Sequence, residues 1–512
     1  MSVTALNPIL PGFYPDPSAV VVGDDFYIVN SSFAYFPGLP IMHSRDLANW
    51  EQIGNAMDRN SQLPLGDDDI SRGLFAPTIR YNNGIYYIIC TNVSFGGNFI
   101  ITATDPKGPW SEPHYIEGAE GIDPSLFFDD DGKCYYTGTH PNPAGCQYDG
   151  DWYIYTQEID IENFKLIGEP VDVWNGSMRG VHWPEGPHTY KVGEYYYIIH
   201  AEGGTGPNHA ICVARSKNIF GPYETNFNNP IFTHRHLGKK YPIQYVGHGD
   251  MFMTSAGEWY MVMLATRPVL GKTTKGRETF LARVYWEDDW PVVNPGVGAL
   301  TDEVNIDLEE YIPEADKNII PGDNKHFEFK DMKELPFSCV TIRNPEDDMY
   351  EFVENGLALK CSRKGSYVGV RQDAVAFEAI AVLRTKGLYE GAKAGMMLYQ
   401  SDKYQLRVEY SGIHINVYLV TDGEEEKIAS MMLVVHNATI GIQVKGLKAS
   451  VYLGEGNNVV PLIKDVSIAS LSTEVAGGFV GCTVGIYAKG DKEENEEKSA
   501  VFKSLSYRVD DI

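Results

Sequence analysis

The sequence predicts an all-β protein: a five-bladed β-propeller over residues 1–300, a linker over 301–324, and a β-sandwich of jelly-roll, concanavalin-like type over 325–512. Three observations carry this reading. A turn followed by a tyrosine-bearing strand recurs five times at blade-sized intervals. The repeated region has no helical periodicity. After Asn294-Pro-Gly-Val-Gly the repeat stops and alternating strands of a different character take over.

The recurring phrase is Gly23-Asp-Asp-Phe-Tyr-Ile-Val, Gly84-Ile-Tyr-Tyr-Ile-Ile, Gly132-Lys-Cys-Tyr-Tyr-Thr, Gly193-Glu-Tyr-Tyr-Tyr-Ile-Ile and Gly257-Glu-Trp-Tyr-Met-Val. It aligns Tyr27, Tyr87, Tyr135, Tyr196 and Tyr260, separated by 60, 48, 61 and 64 positions. Apolar strands precede the turns, as at Ser18-Ala-Val-Val-Val, Thr78-Ile-Arg-Tyr and Ser125-Leu-Phe-Phe. Further strands follow, as at Ile41-Met-His-Ser, Ile100-Ile-Thr-Ala-Thr and Ile211-Cys-Val-Ala-Arg-Ser. Repeats near 60 residues are too long for the coils of a β-helix and fit blades of three or four strands.

Counting back 11 or 12 residues from each aligned tyrosine reaches Asp16, Ala76, Asp123, Glu185 and His248. Equivalent positions of successive blades surround a propeller's axis, so three carboxylates and a histidine are expected to converge. Their neighbours are stiff or small: Pro15-Asp16-Pro17, Ala76-Pro77, Asp123-Pro124, Pro184-Glu185-Gly186-Pro187 and Gly247-His248-Gly249. Alone, Glu185 reads as a turn glutamate facing water; its counterparts in the other repeats make it a candidate acid.

Residues 301–324 are acidic and proline-bearing, with a Pro-Gly-Asp-Asn turn at 321–324. Beyond them, Tyr404, Leu406, Val408 and Tyr410 alternate on one face, and after Ser411-Gly412 so do Ile413, Ile415, Val417 and Leu419. Strands are also expected at 439–444, 449–453 and 501–509, and the acidic runs Glu424–Glu426 and Asp491–Glu497 read as solvated turns. Nothing in this half resembles a catalytic centre.

A net charge of −27 argues against nucleic acid and anionic membrane as partners. It leaves a neutral ligand and a homo-oligomer open. The seven cysteines are scattered without a Cys-x-x-Cys pair, which disfavours a zinc cluster or redox motif. The amino terminus lacks a basic stretch followed by an apolar one, so a cytoplasmic location is expected.

Two carboxyl groups flanking one bond are the equipment of glycoside hydrolysis: one protonated to donate, one ionised to activate water or attack. A third raises the acid's pKa by like-charge repulsion. Glu185, with the longer arm and Trp183 and Pro184 beside it, suits the donor; Asp16, locked between prolines, suits the base; Asp123 then modulates. The same ring also admits a divalent cation. Ca2+ in the propeller channel, with His248 among its ligands and waters completing the shell, would be an unusual site because calcium prefers oxygen ligands, and a purely metal-based mechanism is disfavoured.

These residues sit in phrases that resemble glycoside hydrolase family 43, in particular its two-domain β-xylosidases. The phrases include Asn7-Pro-Ile-Leu-Pro-Gly-Phe-Tyr-Pro-Asp-Pro-Ser, Ser31-Ser-Phe-Ala-Tyr-Phe-Pro-Gly, Phe75-Ala-Pro and Gly121-Ile-Asp-Pro-Ser-Leu-Phe. Glu185-Gly-Pro-His, Ala201-Glu-Gly-Gly-Thr-Gly, Gly247-His-Gly-Asp and Gly276-Arg-Glu-Thr complete the set. The resemblance implies an inverting, exo-acting hydrolase of terminal β-1,4-xylose that needs no cofactor for its chemistry, with Asp16 as general base, Glu185 as general acid and Asp123 as pKa modulator. It further implies that Phe33 and Phe36 wall the pocket, that Phe75 and Ala76 line it, that Arg277 holds sugar hydroxyls, and that Thr205 and His248 belong to the site. An aromatic from the sandwich closes the pocket in some relatives, and Phe479 is the candidate here. Phe75 stands where the β-xylosidases often have Trp, and the loop from Leu270 to Gly276 is short beside many relatives. An α-L-arabinofuranosidase or bifunctional enzyme is therefore the alternative within the class. A non-catalytic carbohydrate-binding propeller, or a propeller used as a protein-interaction scaffold, would not need all three acids.

Overall fold

The computed structural model describes residues 2–510 apart from 179, 314–315, 317–318, 389–390 and 492–497. Five four-stranded antiparallel sheets follow one another along the chain, spanning 18–57, 78–115, 125–174, 185–225 and 244–293. Their first strands are Ser18–Val22, Thr78–Asn82, Ser125–Phe128, Glu185–Val192 and Gln244–Met253. Each touches the next and the fifth returns to the first, so these strands ring an axis as the inner edges of five blades. The five aligned tyrosines all lie on second strands, opposite Val20, Arg80, Phe127, Lys191 and Phe252 of the inner strands.

The ring is closed by the amino-terminal segment. Val3–Leu6 pairs antiparallel with Glu303–Ile306, and Leu10 bridges Thr279. Between them, the Asn7 amide donates to the Leu281 and Thr301 carbonyls, both at 2.9 Å, and accepts from the Leu281 N–H at 2.9 Å. Glu303–Ile306 was expected in the linker, and this is a correction. Val304 and Ile306 are buried while Glu303 and Asn305 are exposed, so the acidic surface residues mask a half-buried strand.

The carboxy-terminal half stacks an eight-stranded sheet on a six-stranded one around a shared apolar core that includes Leu359, Phe377, Leu398, Val408, Ile442 and Phe502. Tyr404–Ser411 and His414–Thr421 form the expected hairpin, with Leu406, Val408, Ile415 and Val417 wholly buried; Ile413 falls in the turn and is exposed. Glu424–Glu426 does not form a turn. It opens the edge strand Glu424–Met432, where its carboxylates still face water. Most of the acidic run Asp491–Glu497 lies outside the described residues.

The six-stranded sheet turns its other face to the propeller. Tyr35–Phe36 pairs with Thr341–Ile342, and the core between the halves joins Phe13, Phe33, Tyr35 and Leu65 to Val340, Tyr367, Tyr399 and Val480. The loop after Leu270 is gripped directly: Thr473 N–H donates to the Thr273 carbonyl at 3.0 Å and Cys482 N–H to the Thr274 carbonyl at 2.7 Å. The seven cysteines are free thiols, six of them buried. No helix among the described residues is long and apolar enough to cross a membrane.

Candidate active site

All five axis positions read from the repeat, Asp16, Ala76, Asp123, Glu185 and His248, line one small cavity of about 70 Å3. Phe33, Phe75, Ile122, Thr205, Arg277 and Phe479 complete its walls. The backbone reaches these positions through left-handed turns: φ is 50° at Asp16, 55° at Asp123 and 49° at His248. Such values cost a non-glycine residue energy, and they aim each side chain across the axis where an extended strand would turn it aside. Glu185 instead heads its inner strand, where a bulge between Glu185 and His188 breaks the pairing. Gly186, at φ 58°, allows this: a Cβ there would stand 2.7 Å from the His248 ring.

Asp16 is held from two sides. The Ser31 hydroxyl donates to one oxygen at 2.6 Å and Arg277 Nη1 to the other at 2.8 Å. Burial pushes the Asp16 carboxyl up, but Arg277, His248 and the Ser31 hydroxyl together outweigh it and hold it below the ordinary value. Glu185 is treated oppositely. Burial, then the charges of Asp123 and Asp16, raise it well above the usual range, and the Arg277 cation opposes only in part. Asp123 is pushed up to about 6 by burial and by Asp16, against the pull of His248 and a Gly186 N–H. Asp123 and Glu185 are thus both raised while Asp16 is lowered, and the charge of Asp123 helps to keep Glu185 protonated.

Phe479 reaches in from the sandwich. Its ring stacks on Phe33, with centroids 5.7 Å apart and an 18° tilt, and meets Phe75 edge-on at 5.8 Å. The Arg277 guanidinium lies 5.7 Å from both the Phe33 and Phe479 ring centres, so the same cation that holds Asp16 also contacts the stacked aromatic pair. Phe479 N–H is fixed by the Ser71 hydroxyl at 2.9 Å.

Phe36 does not belong to this wall, contrary to expectation. The chain turns at Ser32–Tyr35 and carries Phe36 outward, where it is buried against Thr341 of the sandwich. Ile122 is the pocket residue that sequence reasoning missed. It precedes Asp123 as Phe75 precedes Ala76, so the repeat already contained its signal.

Beneath the carboxylates lies a second charged layer. Asp250, fully buried, accepts from Ser18 Oγ at 2.6 Å, Arg80 Nη1 at 2.9 Å and the Tyr190 hydroxyl; Arg80 Nη2 meets His188 Nδ1 at 3.1 Å. This network ties the inner strands of the first, second, fourth and fifth blades. Burial keeps His188 neutral, lowering its pKa to about 3. No group of three or more His, Cys, Asp or Glu ligands among the described residues includes His248; the one that converges is His200, Glu202 and Cys212, in the fourth blade. A Ca2+ ion at His248 would therefore be held largely by water, with the Arg80 cation in the layer below. The donor set does not make a protein-built site for the expected ion.

The sequence profile of glycosyl hydrolases family 43 matches residues 5–291, and that of the beta xylosidase C-terminal concanavalin A-like domain matches residues 326–508. A xylosidase/arabinosidase of Butyrivibrio fibrisolvens is 49% identical over 509 residues, covering 96% of this chain and 97% of that protein. A non-reducing end alpha-L-arabinofuranosidase of Bacteroides ovatus is 34% identical over 522 residues, covering 96% and 92%. Among solved structures, the xylan beta-1,4-xylosidase of Bacillus halodurans superposes with a TM-score of 0.90 at 30% identity, covering 98% of this chain and all of that one.

Proposed function

Because the chain belongs to glycosyl hydrolase family 43, we propose that it is an inverting exo-glycosidase that removes terminal β-1,4-linked D-xylose from xylo-oligosaccharides. The observation that carries the reading is the opposed tuning of two carboxyls in one small pocket: Asp16 held low, Glu185 held high. Enzymes assign acid and base roles by such separation.

In the proposed reaction the protonated Glu185 donates to the glycosidic oxygen as the bond to the anomeric carbon breaks. The ionised Asp16 takes a proton from a water attacking that carbon on the opposite face, which inverts the anomeric centre. Asp123 keeps the proton on Glu185 until it is needed. Arg277 fixes Asp16 and presents its remaining donors to sugar hydroxyls, while Phe33, Phe75 and Phe479 enclose the ring. A cavity this small, walled by three aromatics, favours a single terminal sugar over an internal stretch of chain. No step is assigned to a channel cation.

The relatives' names supply a second reading, α-L-arabinofuranosidase activity, alone or alongside the first. A terminal β-D-xylopyranose and an α-L-arabinofuranose offer similar hydroxyls to such a pocket. Initial rates on p-nitrophenyl β-D-xyloside and p-nitrophenyl α-L-arabinofuranoside separate the two: the proposal expects the larger kcat/KM on the xyloside, and a large preference for the arabinofuranoside would reverse the assignment.

A further inference from the structure

Where the sandwich meets the rim of the propeller, its six-stranded sheet floors a cleft of about 660 Å3, far larger than the catalytic pocket and sharing no residue with it. The volume falls within the range of sites that enclose a sizeable organic ligand. Tyr367, Tyr487 and Met397 come from three adjacent strands, Ser366–Arg371, Thr483–Gly490 and Ala392–Ser401, and give the floor an apolar base. Above it the walls are charged but compensated. Arg407 pairs with Glu409 at 3.0 Å and Glu425 at 2.9 Å, and Arg343 pairs with Asp402 at 2.5 Å. Lys364 reaches across to Asp67 of the propeller at 3.0 Å, so both halves of the protein build the cleft.

This chemistry selects its ligand. An anion entering would meet Glu409, Glu425 and Asp402, and a cation would meet Arg407, Arg343 and Lys489. A neutral molecule with many hydroxyls meets neither penalty. Paired guanidinium and carboxylate groups present planar donors and acceptors side by side, which is what vicinal hydroxyls require. We propose that this cleft is a second carbohydrate-binding site, which holds an internal stretch of a neutral xylose-based chain while the propeller pocket trims terminal sugars. The identity of the sugar rests on the proposed xylosidase activity; the cleft and its preference for a neutral polyhydroxylated ligand do not.

The test uses the full-length chain carrying Glu185→Gln, so that hydrolysis does not consume the ligand, titrated with xylohexaose by calorimetry and followed by hydrogen–deuterium exchange. Two binding events are expected, one protecting Tyr404–Ser411 and Thr483–Gly490. Adding Glu425→Ala and Lys489→Ala, two exposed rim changes that leave Arg407 paired with Glu409, should weaken that event at least about tenfold, a change of about 1.4 kcal/mol. In the otherwise unaltered enzyme the same pair of changes should leave kcat/KM on p-nitrophenyl β-D-xyloside within about twofold. An oligogalacturonate of the same length should not bind the cleft. A single binding event with no protection in those two strands, or a second event indifferent to the rim changes, overturns the inference. Hydrolysis of the aryl xyloside with no cleft binding defeats this proposal alone, whereas cleft binding without any hydrolysis defeats the enzymatic reading alone.

Discussion

At the scale of single residues, the account turns on Asp16, Asp123 and Glu185 being different acids. Replacing Asp16 or Glu185 by Ala is expected to lower kcat by about 10²–10⁴-fold while circular dichroism keeps the spectrum of the parent; Asp16→Ala should also lower the melting temperature, because it leaves the buried Arg277 guanidinium without its carboxylate. Asp123→Asn removes a charge that raises Glu185. Glu185 then loses its proton at lower pH, so the alkaline limb of the kcat/KM profile should move to lower pH with the acid limb unmoved. Arg277→Ala acts at the other end: without the cation, burial dominates at Asp16, its pKa rises, and the acid limb should move to higher pH. A profile unchanged by both substitutions would contradict the assigned roles. The positions of these three acids were legible in the sequence because the repeat placed them on equivalent strand starts. Their separation in pKa was not, because it depends on Ser31 and Arg277, one 15 residues and the other 261 residues from Asp16 along the chain. Phe36 was misplaced for a related reason: an aromatic run carries no sign of which ring a tight turn will send outward.

At the scale of elements, the fold depends on buried charge at its seams. Glu278 joins Arg267, at 2.8 Å to each oxygen, to Lys275 and to the Gly12 N–H of the closing segment. Burial raises its carboxyl, yet the two cations lower it to about 2, below the ordinary 4.5. The sign follows directly: Glu278 contributes stability fully above about pH 4.5, and the contribution is lost as pH falls toward 2. Glu278→Gln should therefore cost about 3–5 kcal/mol in urea unfolding at pH 7 and much less near pH 2. An equal cost at both would show that the charge is not what matters. Asn7→Ala should cost about 2–3 kcal/mol, from three hydrogen bonds worth about 1 kcal/mol each. The blades themselves were readable because inner strands, turns and tyrosines repeat. Closure by Val3–Leu6 and Glu303–Ile306 was not, since two four-residue strands about 300 residues apart share no local pattern that pairs them.

At the scale of the whole molecule, the sandwich is part of the enzyme's pocket as well as its support. Its existence and strand pattern were visible in the alternation of Leu406, Val408, Ile415 and Val417, whereas its reach into the propeller came only through the family resemblance that named Phe479, because that residue lies in an irregular segment whose partners, Phe33, Phe75 and Ser71, belong to the other half. Phe479→Ala in the full chain should raise KM on the xyloside roughly tenfold, about 1.4 kcal/mol, with kcat changed less. Ending the chain at Asp323 should give insoluble protein, because Phe13, Tyr35 and Leu65 would lose the apolar face they share with Tyr367, Tyr399 and Val480. A soluble, fully active propeller would deny the sandwich both roles. The central claim joins substrate, roles and stereochemistry, and one measurement bears on all three: proton NMR of p-nitrophenyl β-D-xylobioside hydrolysis during the first minutes, before mutarotation, where the terminal xylose is the one reducing sugar released by the first cleavage. The account predicts that this xylose appears first as α-D-xylopyranose, with p-nitrophenyl β-D-xyloside as the co-product. Initial appearance of β-D-xylopyranose, or no cleavage of the xylobioside at all, would contradict it.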